Sequence, residues 1–144
     1  MRIGNAGLAL IKQFEGFSPA PYRCPANVWT IGYGHVIAPH ERETLRAVDE
    51  VAAEKLLMHD VAAAEKAVAR FIHRPLTQPQ YDALVCFTFN LGSGALQRST
   101  LRQVINRGEE DAVASQWMRF VWAAGRKLPG LVRRRAAELA LYQS

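Results

Sequence analysis

The segment FEGFSPAPYRCPANVWTIGYGH, residues 14–35, carries most of the information in this sequence about fold and chemistry. It contains a carboxylate at Glu15, a thiol at Cys24 and a hydroxyl at Thr30, held apart by prolines, glycines and aromatic residues. Prolines and glycines interrupt helices, and the second half of the segment is rich in β-branched and aromatic residues. The segment therefore predicts a small antiparallel hairpin or three-stranded sheet with its turn at residues 24–27.

Helices are predicted on both sides of this sheet. Leu8, Ile11 and Phe14 recur at helical spacing and predict a short first helix. Thr77, with Gln80 three residues later, forms a capping box and predicts the start of an apolar, central helix. Further helices are predicted at residues 50–71, 99–107, 109–117 and 131–142.

Together these elements predict an α+β fold that is mainly helical. A chain of 144 residues suits a single domain with its own hydrophobic core. We therefore expect one domain, residues 1–144, with a small sheet lobe at about 14–48 and a helical bundle at about 49–144. A cleft is expected between the sheet lobe and the bundle.

The composition excludes several classes of protein. Hydrophobic residues make up 49% of the chain and charged residues 22%, so a disordered chain is not expected. The net charge of +5 favours an anionic partner, but no helix-turn-helix, zinc-finger or RNA-recognition signature is present, so no nucleic-acid partner is expected. The apolar run at residues 3–11 is too short and interrupted for a membrane span or a signal peptide, so we expect synthesis in the cytoplasm without an export signal.

The cysteines and histidines predict neither a disulfide nor a metal site. Cys24 and Cys86 lie far apart in the sequence, and the four histidines are scattered rather than clustered as zinc ligands are. No cofactor and no metal are therefore expected. Cys86 lies in the apolar stretch ALVCF and is predicted to be a core residue.

Glu15 has the surroundings of a general acid. It follows a predicted helix and lies between Phe14 and Phe17, and both the negative end of the helix dipole and apolar neighbours favour a protonated carboxyl group. A protonated carboxyl group facing a cleft can donate the proton that breaks a glycosidic bond. From the residues by themselves, a solvated glutamate at a helix end is the more ordinary interpretation.

The segment resembles the active-site segment of the phage lysozyme family, the endolysins of glycoside hydrolase family 24 typified by the phage T4 and P22 enzymes. The family pattern is Glu, eight residues, Asp or Cys, five residues, Thr and then G-x-G-H, which falls here on Glu15, Cys24, Thr30 and residues 32–35. The stretches LTQPQYDALVCFTFNLGSGAL, STLRQVINRG and LPGLVRRRAAELALY resemble the family's central and C-terminal helices. The resemblance covers nearly the whole chain and implies a lysozyme-like fold.

The resemblance also implies roles for individual residues. Glu15 is implied to be the catalytic acid, and Thr30 to position the attacking water or the sugar. His35 is implied to pair with Asp60 in a structural role, and we expect this pair to raise the pKa of His35. Contacts with the sugar are implied for Gly34, Val36, Phe89, Asn90 and Thr100.

The second position of the family pattern is Cys24, where the family more often has Asp. A thiolate there could act as the base that activates water or as a nucleophile, and a neutral thiol could shape and polarise the water site. Arg23 and the positive net charge favour the thiolate. The sequence leaves these three roles of Cys24 open, although it implies that the thiol belongs to the catalytic site.

The function implied by the resemblance is that of an endolysin muramidase, which hydrolyses the β-1,4 bond between N-acetylmuramic acid and N-acetylglucosamine. Two alternatives stay open: a lytic transglycosylase, which forms 1,6-anhydro products, and a non-catalytic module that binds peptidoglycan. The implied partner is bacterial peptidoglycan, reached from the host cytoplasm after a holin opens the inner membrane, and a monomer is expected. The basic helix with Arg133, Arg134 and Arg135 is expected to face solvent, partly paired with Glu138, or to contact an anionic outer membrane.

Overall fold

The computed structural model describes residues 1–144 and shows a mainly helical chain with two small antiparallel sheets. The chain divides into two units, which we name the sheet unit, residues 11–62, and the helical unit, residues 1–10 together with 63–144. It passes from one unit to the other twice, within the first helix and after residue 62. The predicted α+β, mainly helical fold class is confirmed.

The sheet unit contains a three-stranded sheet that follows the first helix. The elements are α1, Asn5–Glu15, β1, Ser18–Arg23, β2, Trp29–Gly32, and β3, His35–Val36. The strands are antiparallel in the order β1-β2-β3, and a turn joins the first two. Pro19 and Pro21 both lie in β1, which is an edge strand and so tolerates residues without a backbone N–H. Of the two predicted alternatives, a hairpin or a three-stranded sheet, the structure has the three-stranded sheet.

Helix α2, Glu50–Asp60, covers one face of this sheet. Its N-terminus is capped by Asp49, whose carboxylate accepts a backbone hydrogen bond of 2.8 Å from the first turn of the helix. Ile31 on β2 and Ala53 and Leu57 on α2 are almost fully buried where the helix packs against the sheet. The sequence analysis groups this helix with the bundle, whereas in the structure it belongs to the sheet unit.

The helix predicted at residues 50–71 is two helices, α2 and α3, Ala62–Phe71. They are separated at Val61, whose N–H still donates to the Leu57 carbonyl at 2.9 Å. No glycine or proline marks the break, and helix propensity along this alanine-rich stretch is favourable. The prediction of one helix is wrong because the break follows the change from one unit to the other and has no local signal in the sequence.

The helical unit is built around one apolar helix. After α3 it contains α4 to α8: Gln78–Leu91, Ser93–Arg98, Thr100–Asn106, Val113–Trp117 and Pro129–Tyr142. A short hairpin of β4, Trp122–Ala123, and β5, Arg126–Lys127, precedes α8. Residues 81–88 of α4 are all buried, and α4 packs along α8. None of the eight helices is long and apolar enough to cross a membrane.

The start of α4 follows the predicted capping box. The Gln80 N–H donates to the Thr77 hydroxyl oxygen at 3.2 Å, and the Thr77 N–H donates to the Gln80 side-chain carbonyl at 3.0 Å. Further along the helix, Cys86 is buried and its thiol donates to the Gly7 carbonyl at 3.3 Å. Burial raises the pKa of this thiol, so Cys86 is the inert core residue that the sequence predicts. Helix α5 and the β4–β5 hairpin are not predicted by the sequence.

Candidate active site

Glu15 is the last residue of α1, and its carboxyl group packs against the backbone of Gly34. The helix ends because Gly16 adopts a positive φ of 71°, with its N–H donating to the Lys12 carbonyl at 2.9 Å. A Cβ atom placed on Gly34 would lie 2.7 Å from Glu15 Oε2 and 3.2 Å from Glu15 Cδ. Gly34 also has a positive φ, 76°, so glycine is required there both by the backbone and by the carboxyl group beside it.

The turn after Glu15 lines an open pocket of about 340 Å³. Its walls come from Glu15, Gly16, Phe17, Ser18 and Tyr22. The Phe17 ring is 38% exposed and lies with its centroid 5.4 Å from that of Tyr33, which fixes it at the pocket. A carboxyl group beside aromatic surface suits a sugar, which has apolar ring faces and polar hydroxyl and acetamido groups.

A row of three side chains crosses the sheet next to this pocket. Tyr22, Thr30 and Val36 are direct partners on neighbouring strands, and direct partners project from the same face of a sheet. Thr30 is buried, whereas Val36 is 56% exposed. The next row, Ile31 and His35, projects from the opposite face. Of the predicted site residues, Thr30 and Val36 therefore share one face of the sheet, and Tyr22 joins them.

Tyr22 connects this row with the two other chemical groups of the site. Burial raises its pKa first, and the negative charges of Glu15 and then of Cys24 raise it further. Tyr22 and Glu15 also line the same pocket. The sequence analysis does not single out Tyr22. A signal exists, because a hairpin whose turn follows Cys24 pairs Tyr22 with Thr30 if the turn is centred on residue 26.

Cys24 begins the turn between β1 and β2. Its N–H donates to the Val28 carbonyl at 3.0 Å, and its own carbonyl accepts from Asn27, which has a positive φ of 62°. The pKa of the thiol is lowered, mainly by hydrogen bonding from the Val28 backbone; desolvation opposes this, and the Thr30 hydroxyl and the Ala26 backbone add to it. Cys24 and Thr30 thus lie on the same hairpin, and the lowered pKa of Cys24 favours the thiolate.

The Thr30 hydroxyl donates to the Val28 carbonyl at 3.1 Å. It also contributes to the lowered pKa of the Cys24 thiol. A hydroxyl group carries one hydrogen and can accept as well as donate, so Thr30 can turn its hydrogen toward the thiolate as the charge forms. The arrangement suits a thiolate that takes a proton from water and a hydroxyl that orients that water.

His35 lies between two carboxylates. Its Nδ1 is 2.8 Å from Asp60 Oδ2, which is the predicted pair, and its Nε2 is 3.1 Å from Glu41 Oε1, a partner that the sequence analysis does not identify. Desolvation by itself lowers the pKa of His35, but Asp60 and then Glu41 outweigh it, and the pKa is raised. Both ring nitrogens can donate only in the imidazolium form, so this geometry favours the charged ring.

Glu41 is held for this contact by the backbone. It ends a short 3₁₀ turn, Pro39–Glu41, and its Oε1 accepts the Ala38 N–H at 2.9 Å. The pKa of Glu41 is lowered, first by this backbone hydrogen bond and then by His35, with desolvation opposing both. His35 follows Gly34 directly, so the cluster fixes the part of the chain that packs against the Glu15 carboxyl group.

We expect stability to depend on pH through His35. The folded-state pKa of His35 is raised above 6.5. The stability that protonated His35 contributes is therefore complete below pH 6.5 and is lost as the pH rises through the raised pKa. We expect Asp60→Asn to lower the His35 pKa in an NMR titration and to make the melting temperature depend less on pH over this range. Each unit of pKa shift corresponds to about 1.4 kcal/mol of stability. Asp111→Asn, an exposed aspartate of the helical unit, is the control. An unchanged His35 pKa in Asp60→Asn contradicts the prediction.

The remaining predicted site residues lie in the helical unit. Phe89 and Asn90 are half-buried in the last turn of α4, and Thr100 is the first residue of α6. The Asn90 side-chain carbonyl accepts a hydrogen bond from Arg135, which orients the amide of Asn90. Arg135 is fully buried, and its Nε lies 2.9 Å from Glu138 Oε1.

The prediction that the basic run of α8 faces solvent is wrong for two of its three arginines. Arg133 is exposed, but Arg134 is 8% exposed and Arg135 is fully buried. Both pair with Glu138 as the sequence predicts, at 3.6 Å for Arg134 and 2.9 Å for Arg135, but Glu138 is itself buried. The two arginine charges compensate the buried Glu138 carboxylate, which would otherwise be unpaired in the core. No group of three or more His, Cys, Asp or Glu residues in the protein could hold a metal ion.

Comparison with known proteins places this geometry in context. The sequence matches the family described as phage lysozyme over residues 12–138. An endolysin of Acyrthosiphon pisum secondary endosymbiont phage 1 is 38% identical over 148 residues, which cover 100% of this chain and 99% of that relative. An endolysin of Bacillus phage B103 is 38% identical over 144 residues, which cover 99% of this chain but 54% of that relative. This chain thus spans about half the length of the Bacillus phage protein.

The fold has close relatives among solved structures. The muramidase domain of SpmX from Asticaccaulis excentricus superimposes with a TM-score of 0.88 at 35% sequence identity. The superposition covers 99% of this chain and 98% of the SpmX domain. Similarity over both complete lengths means that the likeness extends beyond the segment around Glu15 to the arrangement of the helices.

Proposed function

Because the chain belongs to the phage lysozyme family, we propose that it is an endolysin muramidase that hydrolyses the β-1,4 bond between N-acetylmuramic acid and N-acetylglucosamine in bacterial peptidoglycan. Family membership makes it a glycoside hydrolase of the lysozyme type. The observation that carries the specific proposal is the placement of the Glu15 carboxyl group against Gly34, in a unit that also holds Thr30 and Cys24, whose thiol has a lowered pKa.

In the proposed reaction, Glu15 acts as the general acid. Its proton passes to the glycosidic oxygen as the bond between this oxygen and C1 breaks, and the C1 carbon takes on oxocarbenium character. Water adds to C1, and the proton that it loses passes to the Cys24 thiolate while the Thr30 hydroxyl orients the water. The lowered pKa of Cys24 supports this role for the thiol, because a base must be deprotonated before it can accept a proton.

We propose contacts with the sugar chain in both units. In the sheet unit these come from Gly34 and Val36, and in the helical unit from Phe89, Asn90 and Thr100. The exposure of Val36 and the oriented amide of Asn90 support these assignments. His35 and Asp60 are proposed to act structurally, through the position of Gly34.

The biological setting follows from the same proposal. We propose one lysozyme domain that acts as a monomer, accumulates in the host cytoplasm and reaches the cell wall after a holin opens the inner membrane. A contact of Arg133–Arg135 with an anionic outer membrane is not part of the proposal, because two of these three side chains are buried against Glu138.

The products of digestion test the proposal. Purified peptidoglycan is digested by the wild type, Cys24→Asp and Cys24→Ser, and the products are weighed by mass spectrometry. We expect hydrated, reducing products from the wild type, retained activity in Cys24→Asp, which restores a carboxylate base, and a loss of about 100-fold in Cys24→Ser, which has no base. Products lighter by one water identify a lytic transglycosylase instead, and the absence of products leaves a module that binds peptidoglycan.

A further inference from the structure

The helical unit contains a second pocket, which we name the Arg74 pocket. It has a volume of about 310 Å³ and is lined by Arg74, Leu76, Gln80, Ile105, Glu110 and Tyr142, together with one proline. These residues come from the loop between α3 and α4, from the first turn of α4, from α6, from the 3₁₀ turn that precedes α7 and from the end of α8. None of them is among the site residues described above.

The segment that carries Arg74 is held in place by Asn106. The Asn106 side-chain oxygen accepts the His73 N–H at 2.7 Å, and its side-chain nitrogen donates to the Phe71 carbonyl at 2.9 Å. Two hydrogen bonds from one side chain fix the backbone just before Arg74 to the end of α6. The pocket therefore has a preformed wall and does not depend on a free loop.

Gly108 provides the surface on which the Arg74 guanidinium lies. A Cβ atom at Gly108 would overlap Arg74 Nη1, and Gly108 has a positive φ of 73°. Glycine suits both this backbone conformation and the close approach of the guanidinium. The exposed Arg74 guanidinium thus lies against the Gly108 backbone where it lines the pocket.

Two neutral polar groups line the same pocket. The Gln80 side-chain carbonyl is used by the Thr77 N–H, so the Gln80 amide nitrogen keeps its two donors for other partners. Tyr142 is 4% exposed, and its hydroxyl lies 3.4 Å from Glu110 Oε2. Burial, followed by the nearby Glu110, raises the pKa of Tyr142 to about 12, so the phenol stays protonated near neutral pH.

The two charged groups of the pocket lack ion-pair partners. Arg74 and Glu110 form no ion pair with each other or with any other residue within 4.0 Å. Leu76 and Ile105 supply apolar surface between the polar groups. The pocket therefore offers one cation, one anion and an amide donor, a set that complements a ligand carrying both a carboxylate and an ammonium group.

We propose that the Arg74 pocket binds the α-carboxylate and α-ammonium groups of an amino acid zwitterion. The carboxylate pairs with Arg74 and accepts from the Gln80 amide, while the ammonium group donates to Glu110. A free amino acid and the free end of a diamino acid in a peptidoglycan stem peptide share this chemistry. The second source rests on the proposed function, since it requires peptidoglycan as substrate.

Titration with small probes tests the chemistry. We expect meso-diaminopimelate to shift the backbone NMR signals of Gln80 and Gly108, whereas cadaverine, which has only ammonium groups, and pimelate, which has only carboxylates, do not. Arg74→Gln and Glu110→Gln weaken binding of diaminopimelate by about tenfold or more, the equivalent of about 1.4 kcal/mol. Equal shifts with pimelate or cadaverine, or no shift with diaminopimelate, overturn the proposal.

The neighbouring pair of Arg107 and Glu109 provides matched controls. These two side chains are exposed, pair with each other at 3.1 Å and do not line the pocket. Arg107→Gln and Glu109→Gln make the same changes of charge close to the pocket, and we expect diaminopimelate to bind both variants as it binds the wild type. If these controls lose binding equally, the overall charge of the protein explains the effect of the Arg74 and Glu110 variants, and the proposal is overturned.

Sedimentation with two forms of peptidoglycan distinguishes a free amino acid from a stem peptide as the ligand. We expect Glu15→Gln to bind peptidoglycan with intact stem peptides more tightly than peptide-free glycan, and the added Arg74→Gln change to remove this difference. If diaminopimelate binds but the two wall forms do not differ, the ligand is a free amino acid and the stem-peptide source is wrong. The NMR result does not require hydrolysis, so loss of digestion with retained binding overturns only the proposed function.

Discussion

Glu15→Gln is expected to reduce the rate of peptidoglycan digestion by about a thousandfold while the protein stays folded, because general acid catalysis contributes about 10²–10⁴-fold. Glutamine has nearly the same shape as glutamic acid, so it still fits against the Gly34 backbone, but it has no acidic proton for the glycosidic oxygen. The rate is measured from the reducing ends released, and folding is checked by thermal melting. Binding to the wall, measured by sedimentation, is expected to persist.

Glu54→Gln is the matched control for this change. Glu54 lies in the same unit, its side chain is 48% exposed, and it pairs with Lys12 at 3.2 Å. Exposed ion pairs contribute only about 0–1 kcal/mol, so we expect nearly wild-type stability and activity from Glu54→Gln. If Glu15→Gln digests peptidoglycan as fast as Glu54→Gln does, Glu15 is not the acid and the proposed mechanism is wrong.

Gly34→Ala is expected to lower activity by about 100-fold, since a displacement of about 1 Å at a catalytic group has effects of this size. The new methyl group would lie 2.7 Å from Glu15 Oε2, so the carboxyl group at the end of this flexible side chain has to move. The positive φ of 76° adds a cost of roughly 1–2 kcal/mol in stability. Initial rates and thermal melting, measured on the same samples, separate these two effects.

Gly125→Ala separates backbone strain from displacement of the acid. Gly125 has nearly the same φ, 75°, and a Cβ atom there would meet no atom within 4 Å. We expect the two variants to lose similar stability, with activity retained in Gly125→Ala alone. Equal activity in both variants would show that the position of the Glu15 carboxyl group does not depend on Gly34.

The parts of the fold that the sequence predicts are those with strong local signals. Thr77 and Gln80 form a capping box that depends on residues three apart, and the structure shows both of its hydrogen bonds. The hairpin around Cys24 is similarly local, because prolines, glycines and β-branched residues favour one backbone path. Such elements can be predicted because their stabilising contacts lie within a few residues of one another.

The errors occur where tertiary packing decides. The break at Val61 has no glycine or proline, and the inward turn of Arg134 and Arg135 depends on Glu138 and on burial of the whole helix face. The β4–β5 hairpin has two-residue strands, which are too short for a period of two to be recognised. For the break at Val61 and the burial of Arg134 and Arg135, packing against other elements decides, and a local window of sequence does not show it.

The candidate site likewise has some contacts that the sequence predicts and others that it does not. The pairing of His35 with Asp60 is implied by the family resemblance and is present, but the second carboxylate, Glu41, reaches His35 because of a 3₁₀ turn that the sequence does not indicate. Tyr22 joins Thr30 through strand register, which depends on where the turn is centred. Register and turn geometry therefore account for the residues that sequence reasoning missed.

The helical unit is discontinuous in sequence, so its N-terminal residues are synthesised before the residues that they pack against. The Ile3 N–H donates to Glu65 at 2.8 Å, and the Gly4 and Gly7 N–H groups donate to the two oxygens of Asp82 at 2.9 and 3.2 Å. Residues 3–7 thus leave the ribosome well before their partners, and the whole sheet unit is synthesised in between. Translation has to pass Asp82 before the first turn of α1 gains its acceptors, so a nascent chain that already carries Glu15 still lacks the finished helical unit.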